Sequence, residues 1–204
     1  MYERFYWHIY YTFVASFQFV LLLVMICLKK LSKKSAEHSV IRKIYEDSFP
    51  VNERREYDKI LRLIGDNDAY MMEAVYDDDV VVGLISSWNL RGWRYVEHFA
   101  IDATQRGRGV GLRVLKLFIE RSLNPIVLEV EPPIDELSKR RVAFYNSVGF
   151  VLHDTHRYIQ PPYGEGLDAV ALKLMTYGAS NEINLDNITA MLHTQVYGVC
   201  AGKM

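Results

Sequence analysis

Residues 104–120, TQRGRGVGLRVLKLFIE, constrain the fold more than any other stretch of this chain. Three glycines alternate with larger residues, and a helical pattern of apolar residues begins at once. Glycine allows close approach to the backbone, and the first amides of a helix have no intrahelical partner. Together with the helix dipole, such a turn forms an anion site, most often for phosphate, and Arg106 and Arg108 add positive charge. The alternative is a tight strand-to-helix turn that needs glycine and binds nothing.

The two familiar nucleotide-binding motifs do not fit this turn. A dinucleotide fingerprint needs the spacing G-x-G-x-x-G, whereas Leu112 stands where that pattern requires its last glycine after Gly107 and Gly109. A Walker loop requires a lysine followed by serine or threonine, and neither pair follows the glycines. A phosphate-bearing ligand would therefore belong to another class.

The rest of the sequence predicts a mixed α/β fold, and 204 residues suit one such domain. Apolar residues recur at helical spacing in four segments, the first two with Ser35 and Asn52 as N-caps. These helical segments are 35–47, 53–64, 112–121 and 138–148. Runs rich in strand-forming residues are 70–76, 80–88, 95–102, 125–131, 150–159 and 167–177.

Charge and cysteine content exclude two kinds of site. Lysine plus arginine number 24 against 25 for aspartate plus glutamate, so the chain has no general basic surface for nucleic acid. Cys27 and Cys200 form neither a metal-ligand spacing nor a disulfide framework. Residues 77–79 are three aspartates between two predicted strands, which we interpret as a solvated hairpin turn. We therefore expect no metal site and no nucleic-acid partner.

The N-terminal segment allows two interpretations. Residues 9–28 carry no formal charge and are long enough to cross a bilayer, and the lysines that follow would leave the domain in the cytoplasm. Membrane association through this helix is one expectation. Alternatively, Ile26 and Leu28 belong to a first strand, and residues 1–24 are a leader from a start codon assigned too far upstream. The protein is then simply cytoplasmic, and the sequence leaves both interpretations open.

Two motifs resemble a known family. Residues 106–111, RGRGVG, match the pattern [RQ]-x-x-G-x-[GA], which is the acyl-CoA motif of the GNAT superfamily of N-acetyltransferases. Residues 144–150, FYNSVGF, resemble the second signature of that family, and the order of strands and helices over residues 25–177 is also similar. Ser138 and Arg141 depart from the pattern of many members, on the acceptor side.

The resemblance implies a fold and an acyl donor. The fold is a central mixed, mostly antiparallel sheet flanked by helices, with two splayed parallel strands at the acyl-CoA site, here over residues 25–178. Acetyl-CoA is the implied donor, with its pantetheine along the backbone of residues 99–101. The expected cofactor-binding residues are Phe99, Ala100, Ile101, Arg106, Gly107, Arg108, Gly109, Val110, Gly111 and Leu112.

The resemblance also implies catalytic groups. In the family an acceptor amine attacks the thioester directly, and Tyr145 matches the tyrosine that protonates the departing thiolate. Glu97 and Glu129 both match positions where members carry a catalytic glutamate that assists deprotonation, and the sequence does not choose between them. His98 should face the opposite side of the strand from Glu97 and serve as a core histidine. Glu131 shares a face with Glu129 and would help to attract a cationic amine.

Two functional hypotheses follow. The first is an N-acetyltransferase that acts on a primary amine of a small molecule or peptide, with residues 160–166 and Tyr163 at the rim of the acceptor site. The second is a non-catalytic acyl-CoA-binding module that senses or scaffolds, either free or tethered to a membrane. Residues 179–204 form a predicted helical tail that packs on the domain or on a second subunit, as in a homodimer.

Overall fold

The computed structural model describes residues 26–180 and 182–199. Its strands form one sheet in the order β1-β2-β3-β4-β5-β8-β6, with β7 also paired to β8. Their bounds are β1 Ile26–Lys30, β2 Tyr70–Asp77, β3 Val80–Leu90, β4 Trp93–Ile101, β5 Ile126–Val130, β6 Val151–Leu152, β7 Tyr158–Gln160 and β8 Val170–Tyr177. The helices are α1 His38–Ser48, α2 Tyr57–Asp66, α3 Val110–Glu120, α4 Glu136–Asn146 and α5 Leu185–Gln195.

The sheet is mixed, as the sequence predicts. Strands β4 and β5 run parallel, and the other strand pairs of the described residues are antiparallel. Helices lie on both faces, because each face of the sheet carries its own apolar core. One core joins α1, α2 and α5 through residues such as Ile41, Ile60 and Leu192. The other joins α3 and α4 through residues such as Leu115 and Val142.

The first two helices begin later than predicted. Ser35 does not cap α1, because its Oγ accepts the amide of Ser32 in the preceding turn, at 2.9 Å. Asn52 does not cap α2 either. It lies in a short 3-10 turn, and its side-chain oxygen accepts the amide of Asp168 at 3.3 Å. The cap residues are thus used to hold neighbouring loops instead.

The later helices begin earlier than predicted. Helix α3 starts at Val110, directly after the left-handed Gly109. Helix α4 starts at Glu136, because Asp135 and Ser138 form a reciprocal capping box at its N-terminus. The shift at α3 places the last glycine of the motif inside the first helical turn.

The predicted strand 150–159 is two short strands. Strand β6 pairs with Met175 and Thr176, whereas β7 pairs with residues 170–172 of the same long strand β8. Between them the chain makes a turn in which His156 donates its amide to the carbonyl of His153, at 3.2 Å. The alternation of apolar residues had not indicated this interruption.

The hairpin predicted at residues 77–79 is present, but Asp77 is not part of a solvated turn. Asp77 ends β2, has 9% of its surface exposed, and its Oδ1 lies 3.6 Å from Arg113 Nη2. Asp78, with a φ of 55°, and Asp79 form the turn itself. The pairing with a basic residue of α3 explains why the first aspartate is tolerated near the core.

Most of the predicted transmembrane segment 9–28 lies outside the described residues. Residues 26–28 belong to β1, which pairs with β2 from Ile26 opposite Asp77 to Lys30 opposite Glu73, so this part is strand and not membrane helix. Among residues 26–180 and 182–199, no helix is both long and apolar enough to cross a membrane.

Candidate active site

The glycine turn joins the end of β4 to the start of α3 through an open backbone. Gly107 and Gly109 have φ values of 78° and 74°, which larger side chains rarely adopt. A Cβ atom at either position would meet no atom within 4 Å, so these glycines border open space. Positive φ, and not crowding, therefore explains why the turn needs glycine at these two positions.

The start of α3 can receive an anion. The amides of Val110, Gly111 and Leu112 lie in the first helical turn, where no intrahelical acceptor exists. Arg106 donates from Nε to the carbonyl oxygen of Ile101 at 3.0 Å, which fixes the turn to the end of β4. The exposed Arg108 contacts Gln105. Both predicted arginines belong to the same turn as the amides, so the turn has the donors and the positive charge that a phosphate requires.

Strands β4 and β5 separate just before this turn. They pair only from Arg94 opposite Ile126 to Val96 opposite Leu128, although β4 continues to Ile101 and β5 to Val130. Along residues 98–101, β4 is paired to β3 on its other side. The backbone of Phe99, Ala100 and Ile101 therefore borders a wedge between diverging parallel strands, next to the glycine turn.

Glu97 is enclosed beside this wedge. Its side chain is 0% exposed, and Oε1 accepts Arg55 Nε at 2.9 Å and Tyr163 Oη at 3.1 Å. Oε2 accepts Trp88 Nε1 at 2.8 Å. Burial by itself raises the pKa of Glu97, but the charge of Arg55 and these hydrogen bonds hold that pKa below its usual value. Glu97 is thus an ionised partner of Arg55 at neutral pH.

Glu97 and His98 lie on the same face of β4, so the prediction that they face opposite sides is wrong. The register between β3 and β4 shifts at Ser86 and Ser87, and Glu97 is the extra residue of this β-bulge. As a result, Glu97 Oε2 lies 3.8 Å from His98 Nδ1.

His98 is the buried core histidine that the sequence predicts. Its ring nitrogens lie 3.3 Å from Tyr45 Oη and Ser86 Oγ, and Nε2 also lies 3.1 Å from the carbonyl oxygen of Glu53. Burial lowers its pKa.

Glu129 lies on β5, in a cluster of tyrosine hydroxyls. Tyr158 donates to its Oε1, and Tyr197 lies within 3.1 Å of Oε1 and 2.9 Å of Oε2. Burial raises the pKa of Glu129 to about 7, although these hydrogen bonds favour the ionised form. In contrast to Glu97, this carboxyl has no cationic partner within salt-bridge distance among the described residues. It can therefore accept and release a proton near neutral pH.

The two glutamates belong to one hydrogen-bonded network. Tyr197 Oη lies 3.4 Å from Tyr163 Oη and 3.1 Å from Tyr95 Oη, and Tyr163 in turn donates to Glu97. Sequence reasoning identified Tyr163 but missed the other members, for which no motif exists. The missed residues are Arg55, Trp88, Tyr95, Tyr158 and Tyr197.

Tyr145 lies on α4 in the core that also contains residues of β4 and β5. Its ring packs edge-on against Phe144 and Phe150, with centroids 5.2 Å and 5.6 Å away. Burial raises the pKa of Tyr145 to about 12, so the hydroxyl keeps its proton at neutral pH. The residue has only 8% of its surface exposed, which makes it both a packed aromatic and a retained proton donor.

Arg141 forms an ion pair with Glu131 and balances its charge, so Glu131 is not an unpaired carboxylate that could attract a cationic amine. The same ion pair occupies Arg141. Ser138 completes the capping box of α4. These departures from the family pattern therefore serve local structure.

A cavity of about 510 Å³ lies between α1, α2 and the loop after β7. Arg54, Arg55, Tyr163 and Gly164 are part of its lining. Since Arg55 and Tyr163 also contact Glu97, the cavity adjoins the glutamate network, at the rim that the sequence predicts for an acceptor. Among the described residues, no group of histidine, cysteine, aspartate or glutamate side chains is arranged to hold a metal ion.

Comparison with known proteins identifies similar chains. Residues 38–150 match the family model of the acetyltransferase (GNAT) family. A candidate GNAT-family acetyltransferase from Bacteroides thetaiotaomicron is 35% identical, with 85% of this chain and 99% of that chain covered and a TM-score of 0.80.

More distant structures share the fold. The acetyltransferase candidate yncA from Salmonella typhimurium, solved with its cofactor acetyl-CoA, has 16% identity over 78% of this chain and 99% of its own, with a TM-score of 0.54. A ribosomal-protein-alanine N-acetyltransferase from Escherichia coli has 14% identity over 78% and 99%, with a TM-score of 0.55. No protein of curated function matches this chain.

Proposed function

The chain belongs to the GNAT family of acetyltransferases, and we propose that it transfers an acetyl group from acetyl-CoA to a primary amine. The observation that carries this proposal is the separation of the parallel strands β4 and β5 directly beside the glycine turn. The turn offers amide donors for a diphosphate, and the wedge beside it offers strand backbone for the extended pantetheine chain. The two sites adjoin each other.

The glycine turn suits the diphosphate of acetyl-CoA. Gly107 and Gly109 leave open space where side chains would intrude, and the first amides of α3 are without intrahelical acceptors. In the proposal, residues 106–112 hold the diphosphate, with Arg106 and Arg108 balancing its charge. Phe99, Ala100 and Ile101 offer backbone groups to the pantetheine along the wedge.

The environment of Glu129 favours it as the general base. When bound, acetyl-CoA supplies a thioester carbonyl carbon that the amine attacks, with the thiol of CoA leaving. The amine must lose a proton, and a carboxyl with a pKa of about 7 is suited to take it near neutral pH. Glu97 is less suited, because Arg55 holds it ionised and its pKa is below the usual value.

Tyr145 is the proposed acid. Its pKa of about 12 keeps the hydroxyl protonated over the working range, so it can donate a hydrogen bond that stabilises the negative charge on the sulfur as the thioester bond breaks. The match of residues 144–150 to the family signature supports this role. Donation of a hydrogen bond to the departing sulfur then needs no change in the protonation of the resting enzyme.

Residues of the cavity beside Glu97 would receive the acceptor. Its lining mixes basic side chains, such as Arg54 and Lys59, with acidic ones, such as Glu46 and Glu165. Such a lining is polar, and we propose a polar amine, either a small molecule or the end of a peptide.

The proposal is tested by incubating the wild-type protein with acetyl-CoA and each of a panel of primary amines, and measuring the release of the CoA thiol. The panel includes polyamines, amino acids and short peptides. We expect thiol release that depends on both an amine and acetyl-CoA, with the acetylated amine detected by mass spectrometry. Binding of acetyl-CoA without turnover on any amine would favour the non-catalytic acyl-CoA-binding module instead.

A further inference from the structure

The hydroxyl of Tyr197 lies at the centre of the network around the proposed base. This residue follows α5, in the segment for which the sequence predicted only a helical tail. Its Oη lies 2.9 Å from Oε2 and 3.1 Å from Oε1 of Glu129, and 3.1 Å from Tyr95 Oη. A tyrosine hydroxyl donates one proton, and the carboxylate of Glu129 is its acceptor here.

Packing and backbone contacts fix this hydroxyl in place. Arg55 Nη2 donates to the carbonyl oxygen of Val196 at 2.8 Å, and Val196 has 5% of its surface exposed. The amide of Tyr197 donates to Leu192, whose side chain is fully buried. The ring of Tyr197 lies 5.2 Å from the ring of Tyr163. The segment directly after α5 is therefore held by the same arginine that pairs with Glu97.

We propose that Tyr197 is a positioning residue for Glu129, by which the C-terminal segment orients the carboxylate and sets the pH range in which it accepts a proton. The catalytic part of this inference rests on the proposed function, in which Glu129 is the base. The position of the Tyr197 hydroxyl next to Glu129 does not depend on the proposed function.

The physical reason is that a hydroxyl donor stabilises the ionised carboxylate, against the effect of burial. Glu129 faces Tyr158 from β7, Tyr95 and Glu97 from β4, and Tyr197 from the tail. Glu97 carries a negative charge, which disfavours ionisation of Glu129. Loss of the Tyr197 hydroxyl therefore makes Glu129 hold its proton to a higher pH.

The first test is a titration that needs no substrate. The protein is labelled with ¹³C at glutamate carboxyls, and the Glu129 signal is assigned by its disappearance in Glu129→Gln. In Tyr197→Phe, which keeps the ring, the Glu129 midpoint should rise by about one pH unit, the effect of one hydrogen bond to a charged group. An unchanged midpoint in folded Tyr197→Phe overturns the inference.

The matched control is Tyr76→Phe. Tyr76 Oη donates to Glu37 Oε1 at 2.6 Å, so this variant also removes a tyrosine–glutamate hydrogen bond, but on β2, away from β5. Its Glu129 midpoint should equal that of the wild type. A shift of the same size in Tyr76→Phe would show a general effect of losing a tyrosine hydroxyl and would also overturn the inference.

The second test measures the rate of thiol release against pH, with the amine that the panel identifies. In Tyr197→Phe the acidic limb should move up by about one pH unit, while the rate at alkaline pH approaches that of the wild type. A uniform loss at every pH would mean that Tyr197 is only structural. Since the titration needs no substrate, a wild type without turnover contradicts the proposed function alone.

Discussion

At the scale of single residues, surroundings separate two glutamates that the sequence leaves equivalent. Glu97 has Arg55 as a counter-ion, from 42 positions earlier in the chain. Glu129 has tyrosine hydroxyls, one of them from Tyr197, which is 68 positions away. Neither partner belongs to a motif, and both are brought in by folding. The identity of the two glutamates could be predicted from the sequence, but the difference between their pKa values could not.

The raised pKa of Glu129 predicts a cost in stability. The pKa of Glu129 is about 7 in the folded protein against a usual value of 4.5. The contribution of the protonated carboxyl to the free energy of unfolding is therefore complete below pH 4.5 and is lost as the pH rises through 7. Glu129→Gln should therefore raise the free energy of unfolding at pH 8 by on the order of 3 kcal/mol, with little change at pH 4.5.

Urea unfolding of both proteins at the two pH values measures this difference. The same variant should lose most of its thiol release, because glutamine cannot take the proton of the amine. Glu165→Gln, on the exposed loop after β7, is the control and should be neutral in stability at both pH values. Destabilisation by Glu129→Gln at pH 8 would contradict the account of this carboxyl.

Tyr145→Phe should lower the turnover number by about a hundredfold, the usual contribution of a general acid. The ring and its packing against Phe150 are retained, so acetyl-CoA affinity should change little. Tyr177→Phe, which alters the other tyrosine that packs against Phe150, is the control. Steady-state kinetics together with calorimetry give both quantities, and equal turnover in Tyr145→Phe would assign protonation of the sulfur to another group.

At the scale of elements, local signals predicted the interiors of helices and strands better than their ends. The glycine motif placed a helix at residues 112–121, and the structure has it at Val110–Glu120. The caps at Ser35 and Asn52 failed, because Ser35 accepts the amide of Ser32 and Asn52 accepts the amide of Asp168, which is 116 positions away. The β-bulge at Glu97 also escaped prediction, since strict alternation is what the sequence pattern assumes. Ends and irregularities thus depended on specific side-chain contacts, some within one turn and some between distant segments.

Close approach of β3 to β4 makes Gly83 sensitive to substitution. A Cβ at this position would lie 2.4 Å from the carbonyl oxygen of Ala100 and 2.8 Å from Ile101 Cδ1. Gly83→Ala should lower the free energy of unfolding by about 2–3 kcal/mol, because backbone must move. It should also weaken acetyl-CoA binding, since Ala100 and Ile101 border the wedge.

The control for this substitution is Gly92→Ala, in the turn between β3 and β4. An added Cβ there meets no atom within 4 Å, although the φ of 77° costs about 1 kcal/mol. Chemical unfolding of both variants compares them. If Gly83→Ala lowers the free energy of unfolding no more than Gly92→Ala does, β3 and β4 can move apart to make room for a methyl group without strain.

At the scale of the whole molecule, the C-terminal segment packs in the core of the domain. Ile188, Leu192 and Val196 are buried in the same cluster as Ile41 and Tyr45 of α1. The helical spacing of the tail indicated an apolar face, but it left two partners open, the domain itself and a second subunit. Contacts within the chain bury that face, and the same contacts bring Tyr197 to Glu129.

Leu192→Ala should lower the free energy of unfolding by about 2–5 kcal/mol, as expected for a fully buried leucine. Thr194→Ala, on an exposed position of the same helix, should cost far less and serves as the control. Urea unfolding followed by circular dichroism measures both. A small effect of Leu192→Ala would mean that α5 detaches from the domain in solution.

The most direct test of the central claim is calorimetric titration of acetyl-CoA into the wild-type protein and into the double variant Arg106→Glu, Gly109→Asp. We expect one site per chain in the wild type, with a dissociation constant roughly between 1 μM and 1 mM. We expect no binding in the variant, because two carboxylates then replace an arginine and an open glycine at the turn. Circular dichroism must show that both proteins are folded. A folded wild type that does not bind, or a variant that binds equally well, would contradict the assignment of the acetyl-CoA site.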